Sequence, residues 1–559
     1  MVITRKTFLY TAFTASFVVW IVSITQMPLY NYTPNPFWYM QNLPISYWFG
    51  LSLTVLTLVW YLTWANTNNS KIDVSYVILF ALYLFGTLDF ATSNSYFMDI
   101  YARVGQIDAI AKLGTISTPV LSGHADTPGP YIFFAMFKLV AGDKVFDTLV
   151  RFYNVFVLTV LSVFVYIVAR RLPISGKALM APIAFLSFAC FLEFHIDRQT
   201  FGLVMFSILL FSTLELLKSS KVQWSLIFIV ASISLAFSHP GTPVFFLSGL
   251  IFAIFLTYLP WFRSRMTVRR RNLLFLFLSN LIIYLTWYVS FSDAYYWFKQ
   301  YTLFILSSFI NALIGRVNVT PTAIQNPSQS FETVIVIREM QIFLLLLVGI
   351  LSVIYLFSKK SWNYRALFLA GLFASSLFLM FLLFAGHAYV ERGFLFMLFP
   401  ISILCAFVFE TSIKRAWAKR NIFSWVILAI LIFSMILLPI TSYGGNLPFE
   451  CPSSSEISCA NFVLKYSPNR TYVTGMRHSG LLTDRLLLGS LEGNAWSGQT
   501  ISQLPDNATL LILNADYYFW SLRYGSSKEY GNLESDALTS GDRICDTGLG
   551  RLYELVKHP

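Results

Sequence analysis

Thirteen apolar runs punctuate the 559 residues, near positions 7–25, 46–65, 74–92, 151–169, 178–194, 201–217, 224–238, 243–259, 273–292, 341–357, 366–385, 394–409 and 423–441. Most are roughly 17 to 22 residues long, the length a helix needs to cross about 30 Å of hydrocarbon. Two of them, 224–238 and 394–409, are short for a full crossing and fit tilted or re-entrant segments. A backbone inside a bilayer must satisfy its own hydrogen bonds, so such runs fold as helices. With 56% hydrophobic and only 12% charged residues, a water-soluble globular domain is excluded. The fold class is an all-α polytopic membrane protein of about 13 transmembrane helices.

The basic residues orient the chain. With the N-terminus cytoplasmic, 20 of the 39 Lys and Arg residues fall on seven short inner segments, among them "RRLPISGK" (170–177), "RSRMTVRRR" (263–271) and "KRAWAKR" (414–420). An odd number of spans then carries the tail from residue 442 to the outer face. The net charge of +12 reads as topology and contact with anionic membrane lipids, with no nucleic-acid partner. Cys451, Cys459 and Cys545 lie in the outer tail, where thiols oxidise, and Cys451 with Cys459 makes a plausible disulfide. Four of the five N-x-S/T sequons, at Asn31, Asn318, Asn469 and Asn507, are also outside. The first apolar run has no small-residue cleavage site and reads as a retained span.

On this reading residues 1–441 form a transmembrane domain with two large outer loops, 93–150 and 293–340. Residues 442–559 form a small extracytoplasmic α/β domain, whose strand-like runs "TYVTGM", "ATLLILNA" and "GRLYEL" alternate with turn residues. No inverted or parallel repeat is visible, which disfavours a solute transporter. Neither a Walker A motif nor a G-x-G-x-x-G follows a strand, so energy arrives in the substrate or in an ion gradient.

Ionisable residues gather in the outer connections. In "NSYFMDIYARVGQ" (94–106), helical spacing puts Asp99, Arg103 and Gln106 on one stripe, beside an apolar stripe of Ile100, Val104, Ile107 and Ala111. Asp108 and Lys112 project from the opposite side. Taken alone, the Asp99/Arg103 and Asp108/Lys112 spacings also fit ordinary surface ion pairs. In "GHADTPGPYIFFAMFKLVAG" (123–142), Gly and Pro impose a turn on His124 and Asp126, and Pro130 suits the first turn of an amphipathic helix. Asp99, Asp126 and His124 offer oxygen and imidazole ligands of the kind that suit Mg or Mn; an Asx turn that starts a helix explains the same residues. The loop "EFHIDRQTFG" (193–202) packs Glu193, His195, Asp197 and Arg198 between two spans, where charge is functional by default. His239 in "SHPGTP", with His387 and Arg392 in "GHAYVER", completes the set; Arg392 can clamp a phosphate bidentately or snorkel to headgroups.

The long first large outer loop, the Pro-rich turn before an amphipathic helix and the outer C-terminal domain resemble the GT-C class of integral-membrane glycosyltransferases. The phrases "DIYARVGQIDAIAKLG", "TPGPYIFFAMFKLVAG", "LSFACFLEFHIDRQTFGLVMFSILLF", "LAFSHPGTPVFFL" and "ERGFLFMLFPISILCAF" carry the resemblance, the last three being similar to archaeal polytopic members. The resemblance implies a sugar donor linked to polyprenyl or dolichyl phosphate and inverting transfer to a glycan, lipid or protein acceptor on the outer face. It further implies that Asp99 acts as general base or metal ligand, with Asp126 as its rival. For the leaving lipid phosphate, the candidate partners are Arg103, Arg198 and Arg392 with His124, His195, His239 and His387. The alternative is a lipid-linked oligosaccharide ligase, polymerase or flippase, in which these histidines and arginines hold a pyrophosphate.

Overall fold

The computed structural model describes residues 5–27, 35–64, 69–92, 99–116, 127–172, 178–189, 194–219, 221–259, 270–290, 329–358, 364–385, 393–406, 435–445, 453–466, 471–474, 492–495, 509–514, 528–546 and 550–555. It also describes single or paired residues at 94–97, at 295–314, and at 432 and 451. Eight described helices are long and apolar enough to cross a membrane, and five shorter apolar helices accompany them, Gly129–Ala141, Val222–Ser238, Arg365–Met380, Gly393–Ala406 and Met435–Gly444. The chain is a multi-pass membrane protein, with eight such helices among the described residues where thirteen were expected. The expected span at 178–194 holds a helix of only nine residues, Met180–Phe188, and the expected spans at 224–238 and 394–409 fall among the shorter helices.

Two helices form between residues 93 and 150. Asp99–Leu113, here α1, has an acid in its first turn and Lys112 in its last, both favourable to the helix dipole. It ends at Gly114, whose φ of +64° suits the left-handed stop that lets its N–H reach the Ile110 carbonyl. Gly129–Ala141, here α2, begins with Pro130 in its first turn and stops at Gly142, where φ is +84°. The next helix, α3, starts directly at Asp143 and runs to Arg171. The amphipathic start of α3 extends the helix before the apolar run expected at 151–169 begins. At about 1.5 Å per residue, α3 is about 44 Å long, so it outreaches the hydrocarbon. Similarly, Gln329–Ser358 begins about a dozen residues before the expected span at 341–357.

Aromatic packing fixes α2 against the bundle. Phe134 meets Tyr153 of α3 at 5.7 Å between ring centroids, and Phe133 meets Phe201 at 5.3 Å. Phe201 belongs to α4, Arg198–Lys218, which is followed by α5, Val222–Ser238, and α6, Gly241–Tyr258. Gly129 at the start of α2 lies so close to α5 that a Cβ there would sit 3.0 Å from the Phe237 carbonyl oxygen.

Deeper in the bundle, α6 packs on α7, Tyr364–Ala385, through bare backbone. A Cβ on Gly371 would stand 2.7 Å from the Ala253 nitrogen and 2.9 Å from the Gly249 oxygen. Small residues permit this close approach in membrane helices. Because backbone cannot yield as a side-chain tip can, Gly371→Ala is expected to cost about 1–3 kcal/mol, read as a lower unfolding temperature in detergent. At the other end of the bundle, Asp73 accepts hydrogen bonds from Tyr61 (2.8 Å) and Tyr166 (2.5 Å), and Glu215 pairs with Arg171 at 3.6 Å. The buried Asp73 carboxylate is satisfied by these two tyrosines and serves packing.

In the tail, five strands form one mixed sheet in the order β2-β1-β3-β5-β4, with β1 Thr471–Thr474, β2 Glu492–Ala495, β3 Thr509–Leu513, β4 Gly541–Asp546 and β5 Gly550–Leu555. β1 pairs in parallel with β2 and β3, whereas β5 is antiparallel to β3 and β4. The three strand-like runs read from the sequence all contribute. Leu510 to Leu513, Leu552 and Tyr553 are buried, and Arg551 pairs with Glu534 while donating to Asn514 at 2.9 Å. The expected Cys451–Cys459 disulfide does not form. Both thiols are buried, and the helix Ser454–Tyr466 starts between them and carries Cys459 into its second turn.

Candidate functional site

Three parts of the chain that are distant in sequence, around Arg103, Thr127 to Tyr131, and Asp197, meet at the N-terminal end of α4. Asp197 is the N-cap of α4, with its Oδ2 accepting the Gln199 N–H at 3.4 Å. Arg103, one turn into α1, brings its Nε to 3.4 Å from Asp197 Oδ1, and its Nη1 donates to Gln106 at 3.4 Å. Tyr131 of α2 donates its hydroxyl to the same Asp197 Oδ1 at 3.5 Å. Arg198 Nη1 donates to the Thr127 hydroxyl at 3.3 Å, tying the start of α4 to the turn before α2. The stripe read from spacing is thus realised: Arg103 and Gln106 share an edge, and Ile100 and Ile107 beside them are buried.

The charges in this cluster are interdependent. Burial alone raises the Asp197 carboxyl, but Arg103, His195, Arg198 and the backbone N–H of Arg198 outweigh it and hold the group well below the usual carboxylate range. Burial also works against the Arg103 guanidinium, and Tyr131, Asp197 and Asp99 outweigh it to keep the charge in place. A carboxyl depressed by folding adds stability above its unfolded value, about 3.9, and that stability is lost as pH falls below it. The unfolding temperature of the wild type is therefore expected to start falling as pH drops toward about 4 and to keep falling at more acid pH, and to fall less in Asp197→Asn.

His195 is buried at 6% exposure with its ring 5.6 Å from Phe97, and its Nδ1 has no hydrogen-bond partner among the described residues. Buried polar atoms are normally paired, so this nitrogen, close enough to Asp197 to act on its charge, is a candidate ligand contact. His239 has a different role. Its Nδ1 accepts the Thr242 N–H at 3.1 Å and lies 2.8 Å from the Thr242 hydroxyl, so it caps the first turn of α6. Its Cβ packs so near α4 that a Cβ on Gly202 would be 3.0 Å away.

Asp99 stands at the first position of α1, half-buried, and acts electrostatically on Arg103. Asp108 faces elsewhere, as its helical phase requires. It pairs with Lys138 at 2.5 Å where Lys112 was expected, and Lys138 also reaches Asp143 at 3.2 Å. These residues line a separate cavity of about 340 Å³ at the junction of α1, α2 and α3. His124, Asp126, His387 and Arg392 lie outside the described residues.

No known family profile matches the chain, and no curated protein matches it. Among solved structures it is similar to the Archaeoglobus fulgidus oligosaccharyltransferase in complex with zinc and sulfate, at 11% identity and a TM-score of 0.47, over 87% of this chain and 73% of that one. It is also similar to ArnT from Cupriavidus metallidurans. With undecaprenyl phosphate bound, the match has 11% identity and a TM-score of 0.40 over 99% of each chain. In the apo state it has 13% identity and a TM-score of 0.41 over 98% of each. At such identities the correspondence between side chains is undefined, so the chemistry of the site rests on its own geometry.

Sequence reasoning marked Asp197 only as one charge of its loop and passed over Tyr131 and Thr127 as site residues. The signal available for Asp197 was its place before a span in a loop with three other ionisable groups. Tyr131 and Thr127 carried none, because only the fold brings them to that loop. Asp89 lies ten residues upstream of Asp99. It is buried at the end of its span, where Oδ2 accepts the Val155 N–H at 3.2 Å. Among the described residues no three His, Cys, Asp or Glu side chains converge as a metal site, and of Asp99, Asp126 and His124 only Asp99 is described.

Proposed function

We infer that this chain is a membrane glycosyltransferase that moves a sugar from a polyprenyl-phosphate or dolichyl-phosphate donor to an acceptor on the outer face. The observation that carries the reading is the convergence of Arg103 and Arg198, from helices far apart in sequence, on one carboxylate beside the bare Nδ1 of His195. Such a group of planar donors suits a phosphate oxygen. The resemblance of the outer loops to GT-C enzymes supports the same reading, and Asp99 takes the place of the acid that resemblance requires.

In this reading the acceptor hydroxyl attacks the anomeric carbon from the side opposite the phosphate, giving inversion. Asp99 takes the hydroxyl proton as the new C–O bond forms. The bond between the anomeric carbon and the phosphate oxygen breaks, and lipid phosphate departs with the electron pair. Its growing negative charge is met by Arg103, Arg198 and His195. A Mg or Mn ion, as the resemblance implies for the outer acids, would add to that stabilisation when bound. The N-terminus is cytoplasmic on this account, and the tail from residue 442 is outside.

Purified protein in lipid nanodiscs, given polyprenyl phosphates bearing radiolabelled sugars and a panel of glycan, lipid and peptide acceptors, is expected to release free polyprenyl phosphate and label an acceptor. Movement of intact donor across a vesicle bilayer, with no glycosidic bond broken, would instead establish a flippase and refute the transfer reaction.

A further inference from the structure

The cluster at the N-terminal end of α4 is compensated in charge. Arg103 and Arg198 both act on Asp197, and Asp99 acts on Arg103, so two guanidinium groups are balanced by two carboxylates. Arg103 and Asp197 keep only 20% and 16% of their side-chain surface exposed, so solvent screens them little. His195, at 6% exposure and with an unpartnered Nδ1 among the described residues, adds a polar contact whose position does not depend on net charge. A site of this kind holds an anion by directed hydrogen bonds more than by a strong positive field. It therefore favours a ligand with little charge of its own over a heavily charged one.

We propose that Asp197 sets the charge selectivity of this site, tuning Arg103 and Arg198 to a lipid-linked phosphodiester and against a lipid diphosphate. The proposal rests on the reading that the site holds the donor's phosphate. A polyprenyl-phosphate sugar is a phosphodiester with a single negative charge, whereas a polyprenyl diphosphate carries more. The Asp197 carboxylate repels each ligand in proportion to its charge, and so penalises the diphosphate more. Asp197 is a specificity-determining residue that acts partly through Arg103, which it pairs at 3.4 Å, and partly through the field it adds.

The test compares affinities of the full-length protein in nanodiscs for two probes, a polyprenyl-phosphate hexose and a polyprenyl diphosphate of equal chain length. Asp197→Asn and Asp197→Ser remove the charge, and each keeps an oxygen able to cap α4. In both variants the ratio of the two affinities is expected to move toward the diphosphate by about tenfold. A purely structural role weakens both probes together and leaves the ratio in place, so a ratio within twofold of wild type in both variants overturns the proposal. If the wild type transfers sugar while the ratio stays fixed, only the selectivity role falls. If the wild type binds neither probe, the selectivity role and the proposed function fall together.

Discussion

Asp99→Ala is expected to slow sugar transfer by about 10²- to 10⁴-fold, the contribution of a well-placed general base. Asp99 begins α1, so its loss also removes a favourable acid from the helix N-terminus, at a cost of only about 0.3–1 kcal/mol. The two effects separate cleanly, because a rate loss of this size far exceeds that small change in stability. Asp99→Asn keeps the shape and is expected to be as slow. The check is the initial rate of polyprenyl phosphate release, measured beside the unfolding temperature of each variant. Full turnover in both Asp99→Ala and Asp126→Ala would remove the carboxylate base from the mechanism.

Arg103→Ala carries the second large effect, since Arg103 serves both the site and the fold. Removing it leaves Asp197 facing Tyr131 and Arg198 with its nearest guanidinium gone, at an expected cost of about 1–3 kcal/mol in stability. On the proposed function it also removes a donor to the substrate phosphate, so the KM for the lipid-linked sugar is expected to rise about 10- to 100-fold. Arg103→Lys restores charge without the planar donor array and is expected to recover only part of either loss. Donor titrations at saturating acceptor and thermal unfolding distinguish the two roles.

The membrane architecture was legible from apolar run length, because a bilayer demands long helices. Where the expected spans erred, local chemistry explains the difference. Polar residues such as Asp143, Lys144 and Asp147 extended α3 below the apolar threshold, and Met180–Phe188 stopped after nine residues in a run long enough for a span. Helical phase correctly separated Arg103 from Asp108, which face different partners. Spacing within one segment said nothing of partners from elsewhere. Lys138 displaced Lys112 as the mate of Asp108, and the partners of Asp197 came into view only once α1, α2 and α4 were brought together. Residue type singled out His239 without disclosing that its Nδ1 also caps a helix, since the turn through Pro240 returns the Thr242 N–H to its ring.

The donor phosphate is proposed to sit between the start of α1 and the start of α4. A photoactivatable polyprenyl-phosphate analogue carrying its reactive group next to the phosphate, crosslinked in nanodiscs and mapped by mass spectrometry, tests it directly. Label is expected on peptides containing Arg103, Tyr131 and His195 to Arg198, and it should be displaced by unlabelled polyprenyl phosphate. Label confined to the Asp108/Lys138 cavity, or to the end of the bundle that holds Asp73 and Glu215, would contradict it.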